Sequence, residues 1–238
     1  QANSLTLNGM SAGAAAETRA AAAVVGNGQN ISVTNAIALN SGTSAAAYSG
    51  IWSLGDQKIN AGTLTIQGGA GASYGNFAEI SHSGSGNQAI NIYGGSVTLV
   101  AGTGTGTTTN NLVPPVCVSD PICSAQPVTG DWAGIYSAVG NQSLTFQTAG
   151  GELSITGGSG GNANKAYISN GGTGTQTIAG LPSITLTGGA SGGNNYQSTD
   201  TFQHLLNNAS IFSPLGAQTI QANSLTLNGM SAGAAAET

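Results

Sequence analysis

Eighteen residues of this sequence occur twice without a single change. QANSLTLNGMSAGAAAET occupies positions 1–18 and again positions 221–238. Biased composition does not produce an identical match of this length, so the match predicts internal repetition, with position 221 repeating position 1 and a period of 220 residues. We interpret residues 1–238 as a single structural segment: one period of a tandem array and the beginning of the next.

The low content of charged residues argues against some classes of binding partner. Only 5% of the residues are charged, against about 25% in an average soluble protein. The net charge is −5, and Arg19, Lys58 and Lys165 are the only strong bases. A basic surface that could neutralise phosphates is therefore missing, which argues against nucleic-acid binding. No apolar run reaches the ~20 residues of a transmembrane helix, so the sequence predicts no membrane span.

A shorter repeat lies within the 220-residue period, and its marker is a Gly-x-Gln tripeptide. Gly and Asn, which are frequent in it, tolerate positive φ, so each copy predicts a tight corner. The spacing between successive glutamines varies from 28 to 54 residues. The corner glutamines are Gln57, Gln88, Gln142, Gln176 and Gln218, with Gln29 in a degenerate copy.

Three short strands are predicted after each corner. The first is a brief apolar strand, the second alternates Ser or Thr with Leu, Ile or Val, and the third pairs a small residue with an aliphatic one, as in Ala133-Gly134-Ile135. A period of two places the aliphatic residues of the second strand on one face. We expect them to form a buried core column, comprising Leu5, Leu7, Ile37, Leu39, Leu64, Ile66, Val97, Leu99, Leu153, Ile155, Ile184 and Leu186.

No single unit of this size can bury its apolar residues, whereas stacked units can. The sequence therefore predicts an all-β fold, a parallel β-solenoid with about six three-stranded coils per period. At ~4.8 Å per coil, six coils advance ~29 Å. An antiparallel sandwich is the alternative, but it predicts no repeated corner.

The differences in unit length fall at one corner. From the second strand to the third, the chain takes between 10 and 34 residues, whereas the other connections stay short. The two longest excursions are inserts at 101–131 and 188–208. Insertions on one side of a solenoid often mark its binding face.

The residues that could carry chemistry are few and scattered. Asp120 and Asp131 share an insert and could approach each other, as an acid pair or as a solvated loop pair. His82 and His204 have no ligand partners at metal spacing and are expected on the surface or in turns. We predict no enzymatic activity, no metal site and no cofactor.

Cys117 and Cys123 enclose a short proline-containing turn. Such a turn can bring two Cα atoms within the range that a disulfide requires. We expect a disulfide that stiffens the insert, with free thiols as the alternative.

The outward residues of the second strands form two ladders rich in Ser and Thr, interrupted by Ala36, Ala38 and Glu152. A solvated or fibre-packing face is the simpler interpretation, and an ice-ordering face is the alternative.

Three segments carry a family resemblance: NQAINIYGGSVTLVAGTGTG, NQSLTFQTAGGELSITGGSGG and TQTIAGLPSITLTGGASGG. They resemble the repeats of filamentous-haemagglutinin-like bacterial adhesins, and the insert PPVCVSDPICSAQP is similar to excursions in some of them. The resemblance implies a right-handed parallel β-helix, export by two-partner secretion and a role at the cell surface.

Two functions are favoured by these observations over a third, that of a β-helix enzyme. The first is an extracellular structural fibre or stalk, whose partner is the chain itself and whose filaments attach cells to surfaces and in biofilms. The alternative is an adhesin whose one-sided inserts recognise a glycan or a host protein. Exposed aromatic residues in the inserts, such as Trp132 or Tyr196, would favour the adhesin.

Overall fold

The computed structural model describes residues 2–9, 20–43, 47–70, 76–104, 130–160, 164–190, 207–229 and 236–237. Within these ranges the chain is all β, with no helix and none of the long apolar helices that could cross a bilayer. The strands are β1 (Leu5–Asn8), β2 (Ala20–Gly26), β3 (Gln29–Ser32), β4 (Ala36–Asn40), β5 (Ala47–Ser53), β6 (Gln57–Gln67), β7 (Ala78–His82), β8 (Gln88–Val100), β9 (Ala133–Ser137), β10 (Gln142–Phe146), β11 (Glu152–Thr156), β12 (Ala166–Asn170), β13 (Gln176–Ala179), β14 (Ser183–Thr187), β15 (Ala209–Phe212), β16 (Gln218–Ile220), β17 (Ser224–Asn228) and β18 (Ala236–Glu237).

The strands form two parallel sheets. One sheet has eleven strands and contains the first and second strands of the units, and the other has seven strands in the order β18-β15-β12-β9-β7-β5-β2. Each strand of the seven-stranded sheet is a third strand of a unit, and its neighbours come from the units before and after it. Parallel pairing between equivalent strands of successive units is what a β-solenoid requires, and the arrangement is not a closed barrel.

The register pairs each residue with its equivalent in the next unit. Gln57 lies opposite Gln88, and Gln88 opposite Gln142. In the second strands Leu64 lies opposite Val97, and Val97 opposite Leu153. The units that the Gly-x-Gln corners mark in the sequence are therefore the units that stack, despite their unequal lengths.

Two units depart from the expected three separate strands. In β6 and β8 the first and second strands are one continuous strand, with a register irregularity between Ala61 and Thr63. In β8 the continuation passes through Gly94 and Gly95. Glycine at 95 has a φ of +95°, which suits a local bend that does not end the pairing with the neighbouring strand.

The core lies between the two sheets. Ten of the aliphatic residues expected in the column are at most 1% exposed, whereas Leu5 and Leu7 are half-buried and pack against the same cluster. The seven-stranded sheet contributes Ile51, Ile80 and Ile135 from its inner face. Branched aliphatic side chains that repeat in register along the sheets therefore form one continuous core.

The seven-stranded sheet is also buried on its other face, which the sequence pattern did not indicate. Trp52 and Tyr136 are at most 4% exposed there. The ring of Tyr167 lies over Gly134, and its hydroxyl donates to Glu79 Oε1 at 2.7 Å. Glycine opposite a large ring lets that ring lie flat on the sheet. A strand buried on both faces loses the simple alternation of polar and apolar residues, which is why this second apolar layer was missed.

Candidate functional site: side-chain ladders along the sheets

The corner glutamines form a hydrogen-bonded ladder that runs through the protein. Each glutamine after Gln29 donates its Nε2 to Oε1 of the glutamine in the preceding unit, at 2.7 to 2.9 Å. The ladder has six members, and the four central ones are at most 2% exposed. In sequence order they are Gln29, Gln57, Gln88, Gln142, Gln176 and Gln218.

The same amides also join the two sheets. The other Nε2 hydrogen of Gln88 goes to the carbonyl of Tyr136 at 2.9 Å, and that of Gln142 goes to the carbonyl of Ser169 at 2.9 Å. Because these carbonyls belong to the seven-stranded sheet, each amide connects its own unit across the corner. A buried amide with both donors and its acceptor used is strongly stabilised by this network. Glutamine is thus required at the corner for its hydrogen bonds as well as for its length.

The residues around each glutamine complete the corner. Asn87 accepts the backbone N–H of Asn141 at 2.9 Å, and Asn141 accepts that of Thr175 at 2.9 Å. Gly140 has a φ of +71°, and a Cβ there would overlap the carbonyl of Gly86. Gly-x-Gln is therefore a stacking motif, in which glycine allows close approach, an asparagine in the middle accepts the backbone N–H of the next unit and glutamine forms the ladder.

Replacing a buried ladder glutamine by methionine should destabilise the fold. Gln142→Met leaves Gln88 Oε1 without its donor and Gln176 Nε2 without its acceptor. We expect a loss of about 2 to 4 kcal/mol in the free energy of unfolding, measured by urea denaturation. Gln147→Met is the matched control, because the side chain of Gln147 is exposed and donates only a long hydrogen bond of 3.3 Å to Asn91 Oδ1 among the described residues. Equal losses in the two variants would contradict the assigned role.

A second buried ladder lies where the chain enters the third strands. The backbone N–H of one unit donates to the side-chain Oδ1 of the next: Asn76 to Asp131 at 2.9 Å, Asp131 to Asn164 at 2.8 Å and Asn164 to Asn207 at 2.9 Å. Asp131 is the acidic member of this otherwise amide ladder. Its Oδ2 is buried without a hydrogen-bond partner among the described residues, whereas Asn164 uses its Nδ2 to donate to the carbonyls of Gly104 and Ser159.

Burial dominates the electrostatics of this carboxyl. It raises the pKa of Asp131 from 3.8 to about 7, against smaller opposing effects from the N–H and side chain of Asn76 and from the N–H of Gly104. Asp131 is 1% exposed, so the expectation of a solvated loop acid was wrong. The other member of the suggested pair, Asp120, lies outside the described residues.

The first and last residues of each insert make the same backbone hydrogen bond as those of the short connections. Gly102 N donates to Asp131 O at 2.7 Å, and Gly189 N donates to Asn207 O at 2.8 Å. The short connection from Gly158 to Asn164 is closed by the same bond at 2.8 Å. A Cβ on Gly102 would overlap the carbonyl of Gly69, which accounts for the glycine at this position. Both long inserts therefore leave and return at one corner without altering the stacking.

The remaining candidate residues do not assemble a reactive site. His82 is fully buried on β7, with Nδ1 3.1 Å from Ser137 Oγ, so the expectation of a surface or turn histidine was wrong for it. Burial lowers the pKa of His82, and the carbonyl of Ser85, which lies within hydrogen-bonding distance of His82 Nε2, opposes that shift. In the described part of the chain, no three His, Cys, Asp or Glu side chains lie close enough to share a metal ion. Cys117, Cys123 and His204 lie outside the described residues.

Among the described aromatic residues, Tyr48, Phe77 and Trp132 pack against one another, whereas Tyr93 on β8 is 52% exposed. The rings of Phe77 and Trp132 stack at 4.4 Å, and those of Tyr48 and Phe77 at 5.1 Å. Trp132 is 5% exposed, so it does not stand free as a recognition residue would. Tyr196 lies outside the described residues.

The Ser- and Thr-rich ladders lie on the outward face of the eleven-stranded sheet, with every member exposed or half-buried. Glu152 is the single charged residue in the two columns. This face is therefore polar with little charge, and two such faces repel each other weakly.

No protein-family model, curated protein or solved structure matches this chain.

Proposed function

We propose that this chain is a structural segment of an extracellular fibre or stalk, a right-handed parallel β-solenoid with six three-stranded coils per 220-residue period. Right-handedness follows the general preference of parallel strand crossovers. The extracellular location and the role in surface attachment derive from the resemblance to filamentous adhesins. The described residues supply the mechanical argument: two parallel sheets, one continuous core and ladders of hydrogen bonds that all run in the stacking direction.

One observation supports the proposed tandem array. The repeated segment pairs with the following unit at its first occurrence and with the preceding unit at its second. Leu5 lies opposite Ile37, and Leu225 lies opposite Ile184, with equivalent residues aligned in both cases. The repeated strand can therefore be placed between Ser183–Thr187 and Ala36–Asn40 with both edges paired. This is the junction that a continuous array requires.

Such an array is stiff for identifiable reasons. Every unit adds backbone hydrogen bonds along the axis, a rung of the glutamine ladder and a layer of the aliphatic core. Nearest-neighbour contacts of this kind sum along the stack, so the length of the rod is set by the number of copies. The weakly charged outward face allows rods to lie side by side.

Electron microscopy and fibre diffraction of the native protein test the proposal. We expect filaments with a strand spacing of ~4.8 Å along the axis and a repeat of ~29 Å per 220 residues, which is six strand spacings. A compact particle, or a repeat unrelated to six layers, would contradict it.

The one-sided inserts favour the adhesin as a second candidate function, because both begin and end at the same corner. A variant in which the short connection 159–163 replaces residues 103–130 keeps the geometry at the base of the insert and tests the insert alone. If the insert has no role in recognition, this variant should form filaments and attach to a glycan-coated or protein-coated surface as before. If the insert recognises the surface, the variant should keep the ~29 Å repeat and lose attachment.

A further inference from the structure

Exposed apolar side chains recur at the corner that precedes each ladder glutamine. Leu54, Val139 and Leu215 are 49%, 40% and 67% exposed there, each directly before the corner glycine, and we call these three residues the corner ridge. Leu54 and Val139 belong to units that have described units on both sides. They therefore face solvent at the side of the stack, where further units of an array would not cover them.

The residues at this position alternate between polar and apolar through all six units. In the polar units the turn is Gly-x-Gly, as in Gly84-Ser85-Gly86, whereas in the apolar units another residue replaces the first glycine, as in Ala138-Val139-Gly140. All six residues are exposed, and in chain order they are Asn27, Leu54, Ser85, Val139, Thr173 and Leu215. Because the period contains an even number of units, the alternation would continue in phase from one period to the next.

The corner glycines align these residues in one column. A Cβ on Gly140 would overlap the carbonyl of Gly86, and a Cβ on Gly174 would overlap the carbonyl of Gly140, so successive turns are in direct contact along the axis. The apolar side chains of the ridge are therefore two strand spacings apart, or ~9.6 Å. Between them lie Gly-x-Gly turns, which present mostly backbone.

We propose that the corner ridge is a lateral interface, at which two copies of this solenoid pair side by side with a displacement of one unit along the axis. The displacement places each apolar side chain of one copy against a Gly-x-Gly turn of the other. A partner must have the same ~9.6 Å spacing to contact the whole ridge in this way, and a second copy has that spacing. The inference rests on the proposed fibre and names the contact through which its rods associate.

Charge does not oppose this contact, and the burial of apolar surface favours it. Asp56 is the one acidic residue in the six turns, and its Oδ1 accepts the N–H of Asn87 at 2.8 Å. Pairing removes from water apolar surface that stays exposed on a single rod, which supplies the driving force. One period contributes three side chains from each copy, so single periods should associate weakly, whereas in an array the linked contacts reinforce one another.

Sedimentation equilibrium of the chain over a concentration series tests the interface. The double variant Leu54→Ser, Val139→Thr gives two ridge positions the residue types of the polar units and should weaken self-association about tenfold or more. The matched control is Tyr93→Ser with Leu181→Ser, which should leave association unchanged, because these residues are 52% and 56% exposed at a different corner. A chain that stays monomeric, or equal association of the ridge variant and the unmodified chain, would overturn the proposal.

Ser85→Leu distinguishes interlocked turns from general hydrophobic attraction. The substitution adds an apolar side chain to a polar turn, at a position that is exposed. In the displaced pair this leucine meets Leu54 or Val139 of the second copy and holds the two copies apart, so association should weaken about tenfold. General attraction between apolar surfaces predicts tighter association instead, and that result would show that the turns do not interlock.

The mass per unit length of native filaments, measured by scanning transmission electron microscopy, separates this inference from the proposed array. Paired rods should have twice the mass of a single rod, which contains 220 residues in ~29 Å. Single rods that keep the ~29 Å repeat would overturn the pairing and leave the array intact. The sedimentation results do not depend on filaments, so they test the ridge even if the array is wrong.

Discussion

Val97→Asp should unfold the centre of the protein. Val97 is fully buried on β8 between Leu64 and Leu153, its register partners in the neighbouring units. A carboxylate there has no hydrogen-bond donor, because the core around it is aliphatic. We expect a loss of several kcal/mol, about 4 or more, in the free energy of unfolding, measured by urea denaturation followed by circular dichroism.

The matched control is the next residue of the same strand. Thr98 lies between Thr65 and Ser154 on the outward face, where it is half-buried. Thr98→Asp should change the free energy of unfolding by about 1 kcal/mol or less, because the carboxylate there can be hydrated. If Val97→Asp were as stable as Thr98→Asp, the assignment of inward and outward faces would be wrong.

The inward and outward faces could be predicted because the second strands obey a period of two. Leucine, isoleucine or valine alternates there with serine or threonine in segments such as Ser96-Val97-Thr98-Leu99. The corner motif could also be found, since a Gly-x-Gln tripeptide survives large changes in unit length. These are local signals, and parallel stacking of equivalent residues follows from them.

The roles of the polar residues could not be predicted from local signals. Whether Gln142 is a surface turn residue or a rung of a buried ladder depends on its neighbours 54 residues before and 34 residues after it along the chain. His82 and Glu79 lie on a strand that is buried on both faces, where polar residues give no alternation to detect. One feature of the sequence did indicate a further role for these residues. Glutamine recurs at every corner, although a turn does not require it.

Asp131 should make the protein less stable as the pH rises. Its pKa is raised to about 7 in the fold and is near 3.9 in an unfolded chain, so between these values the folded state holds a proton that the unfolded state has lost. The contribution of this group is therefore fully present below pH ~4, declines as the pH rises to about 7 and is absent above it. A difference of three pH units corresponds to at most about 4 kcal/mol.

Asp131→Asn should remove this dependence. An asparagine keeps Oδ1 as the acceptor for Asn76 N and places an Nδ2 where Oδ2 is now buried without a partner. At pH 8 we expect the variant to be more stable than the unmodified protein by up to about 4 kcal/mol, and at pH 4 we expect the two to be similar. Urea denaturation of both proteins at a series of pH values measures the difference.

Comparison of the two proteins separates the effect of Asp131 from that of the buried His82. Burial lowers the pKa of His82, so His82 contributes stability that is present above its unfolded pKa and is lost as the pH falls through its folded pKa. This dependence has the opposite sign and occurs in both proteins, so it cancels in the difference between them. A constant difference between pH 4 and pH 8 would show that Asp131 titrates normally. The amide ladder would then tolerate a charged member, and the stacking at the base of the insert would have to admit water.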